Sequence, residues 1–321
     1  MSKILITGVT GQDGFYLSQI ARDSGHEVYG MVHGQNNPKE QAVREALPFV
    51  RIVYGDLLDA FSLNRLIEDV RPDIVVNLGA ITYVPFSWQQ PELVFKTNAM
   101  GVMNLLNACR ESDSVIVQAS TSEMFGNQTY HIIDEESPMN PVSPYGIAKL
   151  AAHHLCLNYR IAYGMQIVSA IMFNHESPMR GPQFVTRKIT MAAARIRHAL
   201  DAGEQPEPLV LGNLDARRDW GYSPDYMSAV LKLAEGHPNG GAYVIATGIA
   251  ASVGEFAAEA FKTVGLDWRD WTKTDAANTR PNELNYLKGN ARRAFLAVNW
   301  KASIKWDALA KLMTEADLCK L

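Results

Sequence analysis

The stretch KILITGVTGQDG, residues 3–14, places a short apolar run directly before three regularly spaced glycines. The run at 3–7 predicts a buried strand, because it is short, apolar and followed at once by a turn. The glycine spacing is GxxGxxG rather than GxGxxG, and it permits a tight turn and close backbone approach. A helix that begins at this turn offers free N–H groups to a pyrophosphate. The stretch therefore predicts a dinucleotide-binding loop, with an ordinary glycine turn as the alternative; its candidate binding residues are Gly8, Thr10, Gly11, Gln12, Asp13 and Gly14.

Apolar runs and helical periodicity continue to alternate through the first two-thirds of the chain. Strands are predicted at 3–7, 27–32, 51–54, 74–77, 114–119 and 166–171, and helices at 14–24, 58–69, 91–110 and 144–163. This order predicts an α/β fold, a doubly wound parallel sheet of the Rossmann type with helices on both faces. After residue 174 the rhythm changes, with helices predicted at 184–202, 252–263 and 306–321 and strands at 208–211 and 243–246. We expect a dinucleotide-binding domain over 1–173 and mainly a smaller α/β substrate-binding lobe over 174–321, some segments of which return to the first domain.

Composition narrows the class of protein. The chain has 321 residues, of which 47% are hydrophobic and 20% charged, which excludes disordered, coiled-coil and collagen-like chains. A net charge of −4 gives no reason to expect nucleic-acid or membrane binding. The three cysteines are far apart and form no CxxC pair, so we expect neither a disulfide framework nor a metal site, and a cytoplasmic location.

The residues after the second predicted strand bear on cofactor choice. In dinucleotide-binding folds, an acidic residue at this position binds the ribose 2′-hydroxyl of NAD, and an arginine binds the 2′-phosphate of NADP. Here the sequence is His33-Gly34-Gln35-Asn36, with neither residue type. This position therefore leaves NAD and NADP open. Asp56 and Leu57 follow the third strand and either cover the adenine or, in the alternative, provide the N-cap of the next helix.

Two further segments predict acid–base chemistry. Tyr145 and Lys149 are four residues apart and share a helix face. An ammonium about 4 Å from the phenol is worth about 4 kcal/mol at an effective dielectric near 20, or roughly three pKa units, which favours a tyrosine base near neutral pH. Thr121 and Glu123 follow the fifth strand, at the sheet edge where such folds bind ligands. The alternatives are an exposed helix pair and a polar loop.

Longer motifs carry a more specific resemblance. They are ITGVTGQDGFYL (6–17), YGDLLD (54–59), NLGA (77–80), QASTSEMFG (118–126), SPYGIAKLAAH (143–153), FNHESPMRGPQFVTRKIT (173–190), LGNLDARRDWGYSPDY (211–226), VIATG (244–248) and RPNEL (280–284). On these the chain resembles the extended short-chain dehydrogenase/reductases, and within them the family of GDP-mannose 4,6-dehydratases.

The resemblance implies a role for each reactive residue. Tyr145 takes the proton of the sugar 4-hydroxyl, Thr121 polarises the 4-oxygen, and Lys149 holds the nicotinamide ribose. Glu123 moves a proton from carbon 5 to the departing 6-hydroxyl, a step that a simple dehydrogenase or epimerase does not need. The cofactor implied is NADP, with NAD not excluded, because residues 33–36 differ from the Arg-Arg-Ser-Ser-like stretch usual in the family.

The resemblance also implies the binding residues. Positions matching the cofactor site are Asp56, Leu57, Leu78, Gly79, Ala80, Lys149, His175 and Arg180, besides the glycine loop. Positions matching the nucleotide-sugar site are Thr121, Asn174, Val185, Lys188, Gly212, Arg218, Arg280 and Glu283. The implied substrate is GDP-mannose or a related GDP-sugar; a 4,6-dehydratase of another GDP-sugar, such as a GDP-heptose, and a non-catalytic nucleotide-binding protein remain the alternatives. The helices at 91–110 and 144–163 resemble a dimer-forming pair, so a homodimer or homotetramer is expected.

Overall fold

A parallel sheet occupies the centre of the computed structural model, which describes residues 1–34, 37–128, 132–236, 240–275 and 282–321. Within these residues the sheet has seven strands: β1 (Lys3–Thr7), β2 (Glu27–Val32), β3 (Arg51–Tyr54), β4 (Ile74–Asn77), β5 (Val115–Thr121), β6 (Ile167–Met172) and, much later in the chain, β10 (Gly241–Ile245). Their order is β10-β6-β5-β4-β1-β2-β3, and every neighbouring pair is parallel. The predicted doubly wound α/β fold is confirmed, and β1 to β4 have the predicted bounds.

Alternate residues of each central strand face opposite layers of helices. In β1, Ile4 and Ile6 belong to one core and Leu5 to the other. The first layer contains α1 (Gln12–Asp23), α2 (Pro38–Ala46), α9 (Ser223–Gly236) and α12 (Arg292–Val298); the second contains α3 (Ala60–Val70), α6 (Gly101–Ala108) and α7 (Pro144–Tyr163). Because both faces are covered, these strands are mainly apolar rather than alternating, and they include a few buried polar residues such as Thr7, Asn77 and Gln118.

Helix α7 begins and ends where its sequence provides caps. The Ser143 hydroxyl accepts a hydrogen bond from the Gly146 N–H at 3.1 Å, and Pro144 occupies the first turn, where it needs no N–H partner. Gly164 ends the helix in a left-handed conformation. These caps fix the bounds that the sequence predicted, and they position the first turn of the helix at the edge of the sheet.

The second lobe packs around its own core. Trp220, Phe256 and Phe261 are fully buried there. Strands β7 (Asn174–Glu176), β9 (Arg217–Tyr222) and β11 (Ala250–Ser252) form one sheet, and β8 (Leu209–Leu211) pairs with β12 (Thr272–Thr274). The helices of this lobe are α8 (Val185–Asp201), α10 (Val253–Thr263), α11 (Trp268–Trp271) and α13 (Trp306–Leu318). The domain boundary at 173/174 stays a prediction, and after it α9 and β10 lie in the first lobe.

One predicted helix is wrong in form. The stretch 91–110 is α5 (Pro91–Phe95), a π-helical turn (Lys96–Met100) and α6, and it is preceded by α4 (Val84–Gln89). The π-turn coincides with Asn98, a buried amide that binds both the N–H and the carbonyl of Ile81 at 2.8 Å.

In the described part of the chain, no helix combines the length and the apolar character that crossing a membrane requires.

Candidate active site

A cavity of about 530 Å³ opens at the carboxyl ends of β4, β5 and β6, between the two lobes. This is where an open parallel sheet places its ligands. Thr121, Glu123, Tyr145 and Lys149 all line it, so the structure brings the predicted reactive residues together. Residues of both lobes line the cavity, so a ligand bound to the first lobe and one bound to the second can meet there.

Thr121 and Glu123 lie on a tight turn that ends β5. The residues Ser122–Phe125 form a single 3₁₀ turn, and the Thr121 hydroxyl accepts a hydrogen bond from the Glu123 N–H at 3.3 Å. Met124 and Phe125 are fully buried, which fixes the turn in the core. As a result the half-buried Glu123 side chain lies at the cavity beside the Thr121 hydroxyl.

The chemistry of Tyr145 differs from the expectation. Burial raises the pKa of Tyr145 to about 12, although its hydrogen bond with Thr121 acts in the opposite direction. Burial also lowers the pKa of Lys149 to about 8. The Lys149 ammonium donates to the Ala119 carbonyl rather than contacting the phenol. The predicted lowering of the Tyr145 pKa toward neutrality is therefore wrong, because burial of the phenol outweighs its hydrogen bond with Thr121.

The glycine loop has the shape that a dinucleotide needs. Gly8 has a φ of 71°, and a side chain there would lie 2.9 Å from the Gly79 nitrogen. A Cβ at Gly14 would lie 2.5 Å from the Gly8 carbonyl oxygen. Gly11 precedes α1 without a side-chain cap, so the first N–H groups of the helix are available to an anion. The loop backbone therefore fits the pyrophosphate of a dinucleotide.

Asp13 connects this loop to the second lobe. Its carboxylate lies 3.0 Å from His175 Nε2 and accepts a hydrogen bond from the Ser223 hydroxyl at 2.7 Å. Burial alone raises the pKa of Asp13, but His175 and Ser223 hold it well below its ordinary value. Burial lowers the pKa of His175, but the Asp13 carboxylate outweighs it and raises that pKa above its ordinary value. The other ring nitrogen lies 2.7 Å from the Phe173 carbonyl, so both nitrogens face acceptors, which favours the protonated ring.

The structure places the remaining predicted residues in two groups. Cavity-lining residues include Leu78, Ala80, Asn174, His175, Arg180, Val185, Lys188, Gly212, Arg218 and Glu283, as well as Asp13. Within the described chain, the residues that do not line it are Gly8, Thr10, Gly11, Gln12, Gly14, Asp56, Leu57 and Gly79. Arg280, Gln35 and Asn36 lie outside the described residues.

The nucleotide-sugar candidates come from separate elements of the second lobe. Val185 and Lys188 lie at the start of α8, and Arg218 lies on β9. The Arg218 guanidinium pairs with Glu283 at 3.0 Å, which holds both side chains at the cavity wall. Since a guanidinium offers donors in a fixed fork, Arg218 can bind a phosphate while it keeps this partner.

Asp56 has a local structural role. Its carboxylate accepts the Leu58 N–H at 2.8 Å and lies 3.0 Å from His33 Nε2. The N-cap of α3 is Asp59, which accepts from Phe61 and Ser62. The alternative interpretation of Asp56 as that N-cap is therefore wrong, while its contact with an adenine stays a prediction.

One wall of the cavity is not among the residues predicted from the sequence. Tyr83, Pro85 and Trp88 line it from the segment that follows β4. The Tyr83 ring packs edge-on against Phe184 of the second lobe, with centroids 5.7 Å apart. The rule that ligands bind at carboxyl ends of strands applies to β4 as well as β5, and it would have identified this segment.

The parallel sheet, with a cavity at the carboxyl ends of its strands, defines a Rossmann-type α/β protein. More specifically, the family model for GDP-mannose 4,6 dehydratase matches residues 5–313, and the chain belongs to that family. It is 40% identical to GDP-mannose 4,6 dehydratase 1 of Arabidopsis thaliana, over 98% of this chain and 89% of that protein. It is 36% identical to GDP-mannose 4,6-dehydratase of Sinorhizobium fredii, over 99% of this chain and 97% of that protein.

Solved structures share the fold at lower identity. The UDP-glucuronic acid 4-epimerase of Bacillus cereus, in complex with UDP-glucuronic acid and NAD, superposes with a TM-score of 0.85 at 22% identity, covering 99% of this chain and 100% of that one. RMD from Pseudomonas aeruginosa, complexed with NADPH, gives a TM-score of 0.80 at 24% identity, with full coverage of both chains.

Proposed function

We propose that the chain is an enzyme, a hydro-lyase that converts GDP-mannose to GDP-4-keto-6-deoxymannose and water. The observation that carries the proposal is the second acid–base group, Glu123, beside Thr121 and Tyr145 in one cavity. Oxidation at carbon 4 needs one acid–base group, whereas loss of the 6-hydroxyl needs a proton moved between carbon 5 and oxygen 6. The relatives named for the same reaction, at 36–40% identity over nearly the whole chain, support this assignment.

NADP is the cofactor we expect, with NAD as the alternative. The fold serves both dinucleotides, since the RMD structure holds NADPH and the epimerase structure holds NAD. The glycine loop would hold the pyrophosphate, and Lys149, His175 and Arg180 would lie around the nicotinamide half. When bound, the dinucleotide would store the hydride of carbon 4 until it is returned to carbon 6 after water is lost. Carbon 5 regains a proton in the same step, so the reaction has no net redox change.

Tyr145 is the proposed base for the sugar 4-hydroxyl. Thr121 shares a hydrogen bond with the phenol and so lies where it can polarise the same oxygen. Lys149 lies on the same helix face, where it is proposed to hold the nicotinamide ribose and to favour ionisation of Tyr145 through its positive charge. All three side chains are held by β5 and α7, which gives them a rigid frame.

Glu123 is the proposed proton shuttle. A 4-ketone makes the carbon 5 proton acidic, and the carboxylate accepts it and then donates it to the departing 6-hydroxyl. One carboxylate can serve both atoms, because carbon 5 and oxygen 6 are neighbours on one sugar. This role separates a dehydratase from a 4-epimerase.

The proposed cations for the diphosphate of the substrate are Arg218, Lys188 and Arg280. Arg218 and Lys188 line the cavity from the second lobe, and Arg280 is proposed from the family resemblance alone. Asn174, Val185, Gly212 and Glu283 are proposed to line the sugar or the guanine.

The assembly we propose is a homodimer, with a homotetramer as the alternative. Phe95, Met100, Met103 and Leu155 form an apolar groove between the 91–108 helical segment and α7, and Phe95 and Met100 are more than 40% exposed. A second copy of these helices would cover the groove. A cytoplasmic location is also proposed, in keeping with three unpaired cysteines.

The variant Glu123→Gln tests the reaction. The matched control is Glu259→Gln, a half-buried carboxylate on α10 that does not line the cavity. Because the amide cannot move a proton, GDP-mannose binding measured by calorimetry should persist while turnover falls by about 10²–10⁴-fold. Full turnover in Glu123→Gln would overturn the mechanism. Turnover of a GDP-heptose but not of GDP-mannose by the unmodified enzyme would overturn the substrate, and binding without any turnover would indicate a non-catalytic protein.

A further inference from the structure

A row of buried polar side chains crosses the sheet beneath the cavity. Thr7 ends β1, Asn77 ends β4 and Gln118 lies in β5, and the three are directly opposite one another in neighbouring strands. Each is at most 2% exposed. Polar groups this deeply buried are costly unless they are hydrogen-bonded, so their partners define what the row does.

Only one order of donors and acceptors is possible along the row. The Ala119 carbonyl only accepts, so Gln118 presents its amide nitrogen there, at 2.8 Å. The Gln118 oxygen then accepts from the Asn77 amide at 2.8 Å. The Asn77 oxygen in turn accepts from the Thr7 hydroxyl at 2.5 Å, and Thr7 accepts from the Gly79 N–H at 2.9 Å. Every amide orientation is thus fixed by the row itself.

The row ends at the carbonyl that Lys149 contacts. The Lys149 ammonium donates to the same Ala119 oxygen as Gln118, and Lys149 is 4% exposed. Among the described residues, no carboxylate forms an ion pair with this ammonium. Its position therefore depends on a neutral carbonyl that already has another donor.

We propose that Gln118 is a positioning residue, which holds the Ala119 carbonyl at the end of the buried row and thereby sets the position and proton affinity of the Lys149 ammonium. The proposal rests on the role of Lys149 given above. Two donors share one oxygen, so the Gln118 amide limits how strongly that oxygen holds the ammonium. Aligned amide dipoles also direct their positive ends toward Ala119, which disfavours charge on Lys149.

Three other titratable groups face Lys149 from its own helix. Tyr145 and His153 lie one turn away on either side, and Cys156 lies further along. His153 is buried with a pKa lowered to about 4 by burial and by its neighbours His154 and Lys149, and its Nδ1 lies 3.2 Å from the Ser120 hydroxyl. Burial raises the pKa of Cys156 to about 12. None of the three changes charge near neutral pH. From other elements, Asp13, Glu123 and Arg180 line the same cavity, and they are the same in every variant. A difference between the Gln118 variants and the unmodified enzyme therefore reports on Lys149.

The test compares Gln118→Glu and Gln118→Met with the control Ser114→Ala. Ser114 is buried just before β5, at the far end from Lys149, and its hydroxyl donates to the Pro72 carbonyl at 2.6 Å. The control removes a buried hydrogen bond next to the same strand without touching the row. Competitive labelling of the full-length enzyme with acetic anhydride, followed by peptide mass spectrometry, gives the pH at which Lys149 is half deprotonated.

Gln118→Glu replaces the donor with a carboxylate within about 6 Å of the ammonium, since both groups contact one oxygen, so we expect the midpoint to rise by about one to two pH units. Gln118→Met leaves the Ala119 oxygen to Lys149 alone, and we expect a rise of about half a unit. Ser114→Ala should leave the midpoint unchanged. Midpoints in both Gln118 variants that equal the unmodified value, or an equal shift in Ser114→Ala, would overturn the proposal.

Kinetics provide a second readout. Gln118 does not line the cavity, so the KM for GDP-mannose should stay within about twofold while kcat falls about tenfold in Gln118→Met. A rise in KM with kcat unchanged would contradict a positioning role. If the unmodified chain does not act on GDP-mannose, the proposed function fails, but the labelling midpoints still decide the role of Gln118.

Discussion

Replacing Tyr145 with phenylalanine removes one oxygen atom from the cavity and leaves the rest of the side chain in place. The ring is 6% exposed and packs against Val84, Val94 and Ala148, and all of these contacts survive. The lost hydrogen bond with Thr121 is worth about 0.5–1.5 kcal/mol, and part of that is recovered because the phenol no longer has to be desolvated. We therefore expect the melting temperature to change by no more than about 3 °C.

The chemical effect is far larger than the effect on stability. The pKa of Tyr145 is about 12 against an ordinary value of 10.0. A raised pKa disfavours the phenolate, here by about 2.7 kcal/mol, so Tyr145 keeps its proton at neutral pH. Phenylalanine can neither accept nor donate a proton, and turnover should fall by about 10²–10⁴-fold, or roughly 3–5 kcal/mol of barrier.

The assay follows loss of water from GDP-mannose by mass spectrometry, alongside thermal melting of the same preparation. The matched control is Tyr159→Phe, further along α7, which removes a hydroxyl bonded to Asn107 at 2.9 Å outside the cavity. We expect full turnover in the control. A Tyr145→Phe enzyme with kcat within about threefold of the unmodified enzyme would refute the assignment of Tyr145 as the base.

Three further predictions concern stability and binding. Because the pKa of Asp13 is lowered, its contribution to stability is complete at pH values above the ordinary aspartate pKa and is lost as the pH falls. Because the pKa of His175 is raised, its contribution is complete below about pH 6.5 and is lost as the pH rises. The melting temperature should thus peak between about pH 4 and 6.5, Asp13→Asn should flatten the profile, and an unchanged profile would contradict the pairing. Ser143→Ala removes the N-cap of α7 and should lower the free energy of unfolding by about 1 kcal/mol, measured as a shift in denaturant midpoint at constant slope. Arg218→Lys keeps the charge near Glu283 but loses the fork, so steady-state kinetics should show KM for GDP-mannose raised about tenfold; a loss in kcat alone would count against a binding role.

Local sequence patterns were sufficient to predict the central sheet and helix α7. Strands β1, β2 and β4 are short, mainly apolar runs bounded by turns, and burial on both faces favours that pattern. Strand β3 lies at the edge of the sheet, where Arg51 and Tyr54 are exposed. The 20 residues of α7 begin after a serine–proline pair and end before a glycine, which are strong local start and stop patterns. Local patterns were also sufficient to predict that four reactive residues lie at one edge of the sheet, because the place of each on its strand or helix sets its position. These residues are Thr121, Glu123, Tyr145 and Lys149.

Long-range partners account for what the sequence did not show. Strand β9 carries Arg218 and Asp219 and does not look like a buried strand. Both are buried because Arg218 pairs with Glu283, and because Asp219 accepts the N–H groups of Thr247, Gly248 and Gly289. These partners are 28–70 residues away, beyond any local pattern.

The protonation of Tyr145 could not be predicted for a related reason. Spacing places Lys149 on the same helix face, but burial of the phenol and the bond from Lys149 to the Ala119 carbonyl depend on the packed sheet. Desolvation and partner choice are tertiary properties, so a sequence gives the residue types of this pair and not their pKa values.

The most direct measurement is mass spectrometry of the purified protein incubated with GDP-mannose, with no cofactor added. We predict that the nucleotide sugar loses one water, which requires a nicotinamide that co-purifies and is restored in each turnover. Extracting that dinucleotide and weighing it distinguishes NADP from NAD. An unchanged GDP-mannose, even after either dinucleotide is supplied, would contradict the proposed reaction.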